Sequence, residues 1–321
     1  MARRTNPHVP HSDQAISAKT FLQTPQLSGD RRLRFGRTVV AVTSLDRVYW
    51  PDEGYTKGDL LAYYLSVGKT ILPYLKGRPT ILKRYPNGIK APMFFQHNVE
   101  DAPDLLQTIE LESEAGRAIN YAVYSDLAAL VYLVNIGTIE QHPWHSRVGD
   151  LDHPDYVVFD LDPHGAPFAN VRRVALVMRD VLQELKLTGY PKTSGSAGIH
   201  IYVPVRRRYE YEEVARFAEQ VSGRVAERVP RIATVERRIA ERKQDQVYVD
   251  WQQNARGKAA AAVYTARAKP GASVSTPVTW QEIGRGFEIR DFTIKTVPRR
   301  LAKKSDLWRE LFKNRQQLPK L

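Results

Sequence analysis

The chain has 321 residues, a net charge of +13, 42% hydrophobic and 26% charged residues, and no cysteine. This composition is ordinary for a globular protein with a full core, and it excludes disulfides, thiolate metal sites and a membrane-spanning run of roughly 20 apolar residues. The N-terminus shows no secretory signal, so we expect a cytoplasmic protein. The basic excess indicates a polyanionic partner, most commonly nucleic acid. A membrane surface is the rival partner, but the sequence shows no basic amphipathic helix with an aromatic face that would bind one.

The ends of the chain differ from its middle. Residues 1–37 carry seven Arg or Lys among Pro, Ser and Gln without sustained periodicity. We predict that they form a basic N-terminal extension, either disordered or lying along a polyanion. A catalytic domain is predicted over 38–300, followed by a basic C-terminal helix or tail over 301–321.

Apolar periodicity predicts the elements in chain order. The predicted strands are Thr38–Val42, Pro79–Lys83, Pro92–Gln96, Tyr156–Asp162, Ile199–Val205, Val247–Trp251 and Ala259–Tyr264. The predicted helices are Thr56–Leu75, Ser125–Asn135, Phe168–Leu187, Tyr211–Val229 and Ser305–Lys313. The succession of strand, turn, helix and strand that begins at Tyr156 is typical of an α/β unit.

The strand at Tyr156 ends in two carboxylates, Asp160 and Asp162. Side chains alternate across a strand, so both carboxylates point to one face while Phe159 and Leu161 point to the other. Two adjacent carboxylates repel, and a divalent cation would relieve that repulsion. On this segment alone, an acidic turn at the end of a strand is the interpretation that we favour.

A second strand, Val247–Trp251, delivers a third carboxylate, Asp250. Alone it would be a surface or capping residue, but with the pair on the first strand it completes a site for two metal ions held by oxygen ligands. The following Gln252–Lys258 loop offers amides and the cations Arg256 and Lys258, which suit a phosphorylated ligand. Arg267 comes after the next predicted strand.

Glycines and serines fill the turn between a helix and the strand at Ile199. Residues 193–200 read Thr-Ser-Gly-Ser-Ala-Gly-Ile-His, which lets the backbone approach a ligand and present N–H and O–H donors to phosphate oxygens. His200 would add a donor or a cation. A flexible turn is the more common explanation of this spacing, and neither a P-loop nor a dinucleotide fingerprint is present. His142 and His145 suggest zinc only weakly, because no cysteine is available and Pro143 prevents a helical pair; a histidine facing phosphate or sugar fits better.

Taken together and in this order, these motifs resemble one family. The segments Asp160–Pro163, Ser194–His200 and Val249–Lys258, with Gly77–Pro79, Lys83–Gly88 and Glu140–Trp144 upstream, are similar to the polymerase domain of bacterial DNA ligase D. That domain belongs to the archaeo-eukaryotic primase superfamily and acts in non-homologous end joining. The resemblance runs roughly from Thr38 to Pro298. It implies a primase-polymerase-like fold of the mixed α/β class, with central mixed or antiparallel sheets flanked by helices.

The resemblance also implies roles for individual residues. Asp160, Asp162 and Asp250 would hold two Mn²⁺ or Mg²⁺ ions. The incoming NTP or dNTP would be bound by Ser194, His200, Arg256, Lys258 and Arg267, with His142 near the sugar, where the family prefers ribonucleotides. Lys57 and Lys83 would hold the 5′-phosphate of gapped or broken DNA, and Phe94 and Phe95 would stack on template bases. Ser44 and Arg47 stand where the family has Asn and Lys beside that phosphate.

The function that we expect is template-directed nucleotidyl transfer to a 3′-OH at DNA breaks or gaps. A two-metal nuclease or phosphatase needs the same carboxylates, and a non-catalytic module that binds DNA ends would use the basic and aromatic residues alone. Ku and a separate DNA ligase are the implied partners, and the implied location is the cytoplasm at the nucleoid. Whether the chain is a stand-alone polymerase or an excised domain is open.

Overall fold

The computed structural model describes residues 14–113 and 116–321, which form the expected mixed α/β architecture. The strands in these residues are β1 (Ile16–Ser17), β2 (Arg31–Phe35), β3 (Thr38–Val42), β4 (Val48–Trp50), β5 (Tyr55–Thr56), β6 (Pro79–Arg84), β7 (Phe94–Gln96), β8 (Gln107–Glu112), β9 (Ala118–Val123), β10 (Thr138–Pro143), β11 (Tyr156–Asp162), β12 (Tyr190–Thr193), β13 (Ile199–Pro204), β14 (Ala233–Thr234) and β15 (Val247–Asp250). The helices are α1 (Ala18–Gln23), α2 (Lys57–Leu75), α3 (Leu127–Asn135), α4 (Phe168–Glu184), α5 (Tyr211–Arg228), α6 (Trp280–Arg285) and α7 (Val297–Lys304). None of the described helices is long and apolar enough to cross a bilayer.

A five-stranded sheet with the order β12-β13-β11-β15-β14 lies at the centre of the site. Strand β11 is its middle strand and runs antiparallel to both neighbours, β13 and β15. Phe159 and Leu161 are fully buried in the same core as the apolar faces of α4 and α5. Because side chains alternate along β11, the two aspartates lie on the opposite face.

A second, antiparallel sheet has the order β10-β6-β9-β8, with β7 paired to β6. It meets helix α2, which starts at a capping box: Thr56 Oγ1 accepts from the Asp59 N–H, and Asp59 accepts from the Thr56 N–H at 2.9 Å. The pattern Thr-x-x-Asp before an apolar run is a helix-start signal, and the start predicted there is confirmed. The buried Tyr64 hydroxyl donates to the Ile139 carbonyl of β10 at 2.6 Å and so ties the helix to the sheet.

The described part of the N-terminal segment is folded, which contradicts the disordered alternative of the prediction. Strand β2 pairs with β3, β1 runs parallel to β2, and α1 lies against them. Phe21 and Leu33 are completely buried in the common core. The disordered interpretation is therefore wrong for residues 14–37, and burial of these two side chains contributes to ordering the segment. That the segment lies along a polyanion stays a prediction. Residues 1–13 lie outside the described residues.

Three further boundaries differ from expectation. Helix α3 is capped by Asp126, whose carboxylate accepts the Ala129 N–H at 3.0 Å, rather than by Ser125. Residues 259–264 form no strand and instead make a buried irregular segment. The last helix is α7, and the predicted helix at 305–313 is a series of turns after Ser305, which has a positive φ of 57°.

Candidate active site

Three of the predicted site residues form one row across the central sheet. Asp160 of β11 is paired in register with His200 of β13 on one side and with Asp250 of β15 on the other. Directly opposed residues of antiparallel strands present their side chains on the same face, roughly 5 Å apart. Asp162 stands two residues along β11 on that face. The fold therefore gathers the three predicted carboxylates and His200, which are up to 90 residues apart in the chain.

The gathering of carboxylates changes the acidity of the middle one. Burial, followed by the negative charges of Asp250 and Asp162, raises the pKa of Asp160 to about 7, although Lys192 and Arg267 oppose the shift. A carboxylate that holds a proton this tightly has a strong affinity for positive charge in general. A cation beside Asp160 would therefore stabilise its ionised form.

The donor set fits a hard divalent ion, because it consists of carboxylate oxygens. Their side chains do not converge on one point: within residues 14–113 and 116–321 no three His, Asp or Glu side chains are close enough to share an ion. Asp162 accepts the His164 N–H at 3.2 Å, while Asp250 accepts the Gln252 N–H and the Gln253 amide, each at 2.8 Å. Binding of an ion would exchange these hydrogen bonds for metal–oxygen contacts.

The loop between β12 and β13 needs its glycines. A Cβ on Gly198 would stand 2.2 Å from the Leu161 carbonyl oxygen, and Gly195 has a φ of +70° with the Ser275 N only 2.7 Å from a Cβ position. The close packing turns the loop inward, where the Ser194 Oγ accepts the N–H groups of Ser196 and Gly198 at 3.1 and 3.0 Å. Because that oxygen already accepts two hydrogen bonds, its hydroxyl proton is free to be donated to a ligand.

His200 is a neutral donor, not the cation that was one of the two sequence expectations. Burial, together with Lys192 and Arg267, holds the pKa of His200 well below its usual range. Its Nε2 lies 3.3 Å from Asp160 Oδ1, and its Nδ1 lies 2.9 Å from the Nζ of Lys192. The ionised form of Asp160 only accepts, so beside it Nε2 carries the proton and the ring donates toward the carboxylate row.

Glu140 connects three basic residues from three parts of the chain. Its buried carboxylate contacts Lys83 Nζ at 3.4 Å, His142 Nε2 at 3.1 Å and Arg267 Nε at 2.9 Å. It also accepts the Ala268 N–H at 3.1 Å. Although burial alone would raise it, the pKa of Glu140 is lowered far below its usual range by the hydrogen bond from His142 and by the charges of Arg267 and Lys83. Glu140 is thus an ionised hub behind the predicted nucleotide residues.

The hub also defines the chemistry of His142. Burial lowers the pKa of His142, although the hydrogen bond to Glu140 opposes this, so the ring is neutral at pH 7. With Nε2 donating to the Glu140 carboxylate, Nδ1 has a lone pair and acts as an acceptor. His142 is therefore suited to receive a hydrogen bond from a hydroxyl group.

A cavity of about 270 Å³ opens above the row. Of the predicted residues, it is lined by His142, Asp160, Asp162, Ser194, His200 and Arg267. The Arg267 guanidinium is fixed there by Glu140 and by the Ser194 carbonyl oxygen. Asp250 adjoins this lining through its pairing with Asp160. Arg256 and Lys258 do not line the cavity: Arg256 forms an exposed ion pair with Asp152 at 2.8 Å, and Lys258 is exposed.

A second, larger cavity of about 680 Å³ lies beside β7. Phe94 and Phe95 are 43% and 51% exposed at its wall and are adjacent in the chain, so they form an exposed aromatic pair rather than scattered single residues. The Arg84 guanidinium lies 5.1 Å from the Phe94 ring centre and Lys83 Nζ lies 5.5 Å from that of Phe95. Cationic side chains held against exposed rings make a surface suited to unstacked bases and phosphates.

Lys57 is held inward. Its Nζ donates to the Thr43 carbonyl at 2.6 Å, and burial together with the neighbouring Arg47 lowers the pKa of Lys57 to about 8, although Asp30 opposes this. Ser44 takes a positive φ of 53° and its N–H is bound by Asp30 at 2.8 Å. The Arg47 guanidinium donates to Pro86 O and Asn87 Oδ1.

Sequence reasoning assigned no role to Glu140 or Lys192. Glu140 stood within a segment quoted for the resemblance, and a carboxylate beside a histidine was the signal that could have identified it. Lys192 is fully buried and donates to Ser275 Oγ at 2.6 Å. A lone lysine before Thr193 carries no pattern that distinguishes burial from exposure.

The geometry can be compared with known proteins. Residues 56–308 match the family described as "LigD, primase-polymerase domain". This chain belongs to that family. Its described fold is similar to the "Polymerase Domain from Mycobacterium tuberculosis Ligase D in complex with DNA", with a TM-score of 0.81, 29% identity, and coverage of 86% of this chain and 99% of that chain.

The family includes curated multifunctional proteins. This chain is 30% identical over 272 residues to "Multifunctional non-homologous end joining protein LigD" of Mycolicibacterium smegmatis. The match covers 84% of this chain and 35% of the relative. The chain is 31% identical over 280 residues to "Bifunctional non-homologous end joining protein LigD" of Bacillus subtilis, covering 86% of this chain and 45% of the relative. The chain thus spans less than half the length of either LigD relative.

Proposed function

We propose that this chain is a template-directed nucleotidyltransferase that adds nucleotides, preferentially ribonucleotides, to a 3′-OH at gaps or breaks in DNA, using two divalent ions. The observation that carries the proposal is the row of Asp250, Asp160 and His200 across one sheet, next to a cavity lined by hydrogen-bond donors that suit phosphate. A nuclease needs the carboxylates but has no use for a triphosphate site. A mere DNA-end-binding module needs neither.

The ions would be Mn²⁺ or Mg²⁺ and would be held by Asp160, Asp162 and Asp250. The chemistry that such a pair supplies when bound is neutralisation of charge at the attacking and leaving oxygens. The protein's own contribution is to place three carboxylates on neighbouring strands, and the raised pKa of Asp160 supports the view that ionising all three is costly without a nearby positive charge.

The cavity donors would bind the triphosphate of the incoming nucleotide. Ser194 offers its hydroxyl proton, Arg267 offers the part of its guanidinium that Glu140 leaves unbound, and His200 offers Nε2–H. Fixed donors of this kind stabilise the charge that builds up as pyrophosphate leaves the α-phosphate, without reorganisation during the step. A role for Arg256 and Lys258 in triphosphate binding stays a prediction, since both lie outside the cavity.

Sugar preference would come from His142. Its Nδ1 is an acceptor, and a ribose 2′-OH can donate to it whereas a deoxyribose has no hydroxyl at that position. The expected discrimination is that of one hydrogen bond, about 1 kcal/mol or roughly fivefold.

The DNA would lie along the basic and aromatic surface. Phe94 and Phe95 would stack on template bases, while Lys57 and Lys83 would hold the 5′-phosphate at the far side of the gap. The names of the relatives support work in non-homologous end joining. Ku and a DNA ligase as partners stay predictions from the family resemblance. Retention of this chain on immobilised Ku, measured with and without DNA ends, tests that assignment.

Primer extension on a gapped, 5′-phosphorylated duplex tests the proposal. We expect stepwise extension with Mn²⁺ and NTPs and slower extension with dNTPs. The primer should not become shorter in either case. Cleavage of the primer instead of extension would indicate a nuclease. Binding of the duplex without extension under either metal would contradict the proposed activity.

A further inference from the structure

The N-terminal hairpin formed by β2 and β3 has a polar outer face. Leu33 is buried, and its neighbours Arg32 and Arg34 are exposed on the other side of the strand. The two-residue turn at the tip places Gly36 at a φ of +59° and exposes Arg37. The outer face therefore presents arginines two residues, or about 7 Å, apart.

These arginines have no internal charge partner among the residues that the structure describes. No carboxylate of residues 14–113 or 116–321 lies within 4.0 Å of Arg32, Arg34 or Arg37. The residues of β3 opposite Arg32 and Arg34 are Ala41 and Val39, which are small and uncharged. The face is thus positively charged and not neutralised by the described chain.

The hairpin is packed onto the folded protein and is not a loose tail. Phe21 and Leu33 are completely buried, and Asp30 at the start of β2 binds the Ser44 N–H at 2.8 Å. The Leu45 N–H donates to the Gly29 carbonyl at 3.0 Å. The segment before β2 is therefore fixed to the loop that follows β3.

That loop leads directly to Lys57. The register sets Arg32 beside Ala41, two residues before Thr43, whose carbonyl holds Lys57 Nζ at 2.6 Å. At about 3.4 Å per residue, Arg32 and Arg34 stand roughly 7 and 14 Å along the strand from Thr43. A span of 14 Å equals about four base pairs of duplex at 3.4 Å each.

We propose that the outer face of the β2–β3 hairpin binds the phosphate backbone of the duplex beyond the 5′-phosphate, over about its first four base pairs. The inference rests on the proposed function for the position of Lys57 relative to DNA, but the face itself lies before residues 56–308, which match the family. Arg32 and Arg34 contact phosphates, and Arg37 extends the face at the tip. Such contacts add affinity without reading sequence.

The test combines a protein change with a DNA change. The variant is Arg32→Gln/Arg34→Gln, and the matched control is Arg173→Gln/Arg216→Gln, which removes two exposed arginines of α4 and α5. The DNA is a gapped, 5′-phosphorylated duplex whose downstream arm has either natural or neutral methylphosphonate linkages over its first five base pairs. Affinity is measured by fluorescence anisotropy from 50 to 200 mM salt.

We expect the hairpin variant to lower the slope of log affinity against log salt by about 2, and the control to leave it within 0.5. Neutral linkages should weaken DNA binding by the wild type by the same factor as the two substitutions do. They should not weaken DNA binding by the hairpin variant any further. Additive losses, or a hairpin variant with the control's slope, would overturn the inference. So would a hairpin variant that binds duplex normally but loses binding to anionic lipid vesicles.

The two proposals fail differently. If the proposed polymerase function is wrong, the wild type does not extend primers on any of these duplexes. If only the hairpin assignment is wrong, the hairpin variant extends primers and retains the wild-type salt slope. Thermal melting of each variant shows that the comparison is made between folded proteins.

Discussion

Replacing Glu140 by glutamine removes the charge that holds three basic side chains while keeping the shape of the residue. The carboxylate is buried and contacts Arg267, His142 and Lys83 within 3.4 Å. Loss of one partner from a buried ionic group costs about 3–5 kcal/mol, so the free energy of unfolding should fall by roughly 3 kcal/mol. The substitution should nevertheless leave a folded protein at 20 °C.

The effect on nucleotide selection is more specific. A glutamine can turn its amide N–H₂ toward His142 Nε2, which then becomes an acceptor and transfers the ring proton to Nδ1. His142 would no longer accept from a 2′-OH, so the preference for NTP over dNTP should fall by roughly fivefold, the worth of about 1 kcal/mol. Arg267 also loses its anchor, which should raise the KM for both nucleotides by roughly tenfold.

The assay is steady-state extension of a gapped duplex with NTP and dNTP measured separately, well below the melting temperature. Glu282→Gln is the matched control, because Glu282 is also ion-paired, to Arg300 at 2.7 Å and Lys304 at 2.6 Å, but belongs to α6. The control should lose stability and keep the sugar preference. A Glu140→Gln enzyme that loses stability and keeps the wild-type preference would refute the reasoning.

Three further predictions concern other parts of the molecule. Arg78, Arg207 and Arg147 lower the pKa of Asp155 to about 2 against the effect of burial. The ionised carboxylate therefore stabilises the fold by about 2 kcal/mol above the unfolded pKa of 3.8, and this stabilisation is lost as the pH falls toward 2. Urea unfolding of Asp155→Asn should lack this dependence of stability on acid pH. Gly198→Ala should abolish extension, because its Cβ would meet the Leu161 carbonyl, whereas Gly223→Ala in α5, with open space around it, should raise the melting temperature slightly. Lys57, with a pKa of about 8, should lose its charge between pH 7 and 9, so the gain in DNA affinity from a 5′-phosphate should fall over that range in the wild type and be absent at all pH values in Lys57→Ala.

Some features of the site could be predicted from sequence because they depend only on residues that are close together in the chain. The alternation in Tyr156–Asp162 indicates a strand with both aspartates on one face, and the strand is observed there. The capping signal at Thr56 predicts the start of α2 for the same reason. Neither inference requires knowledge of distant contacts.

The strand pairing that brings distant residues together could not be derived from local patterns, although the three aspartates at strand ends do predict a shared site. Nothing near Asp160 specifies that His200 and Asp250 stand beside it, because strand order is decided by which apolar faces pack together. Residues 259–264 look like a strand, yet tertiary hydrogen bonds such as the one from the Ala262 N–H to the Gln141 carbonyl hold them as a buried loop. The arginine-rich β2 has too few apolar residues to show a period, and Leu33 gains its burial only from the rest of the fold.

The central claim is that the carboxylate row carries out nucleotidyl transfer. Single-turnover extension by Asp160→Asn, with DNA affinity measured in parallel, tests it most directly, since asparagine keeps the shape of the side chain and removes its charge. Removing this charge should cost several kcal/mol of transition-state stabilisation, so extension should be at least ~1,000-fold slower than in the wild type. DNA affinity should change less than about threefold. Extension within tenfold of wild type at unchanged DNA affinity would contradict the account.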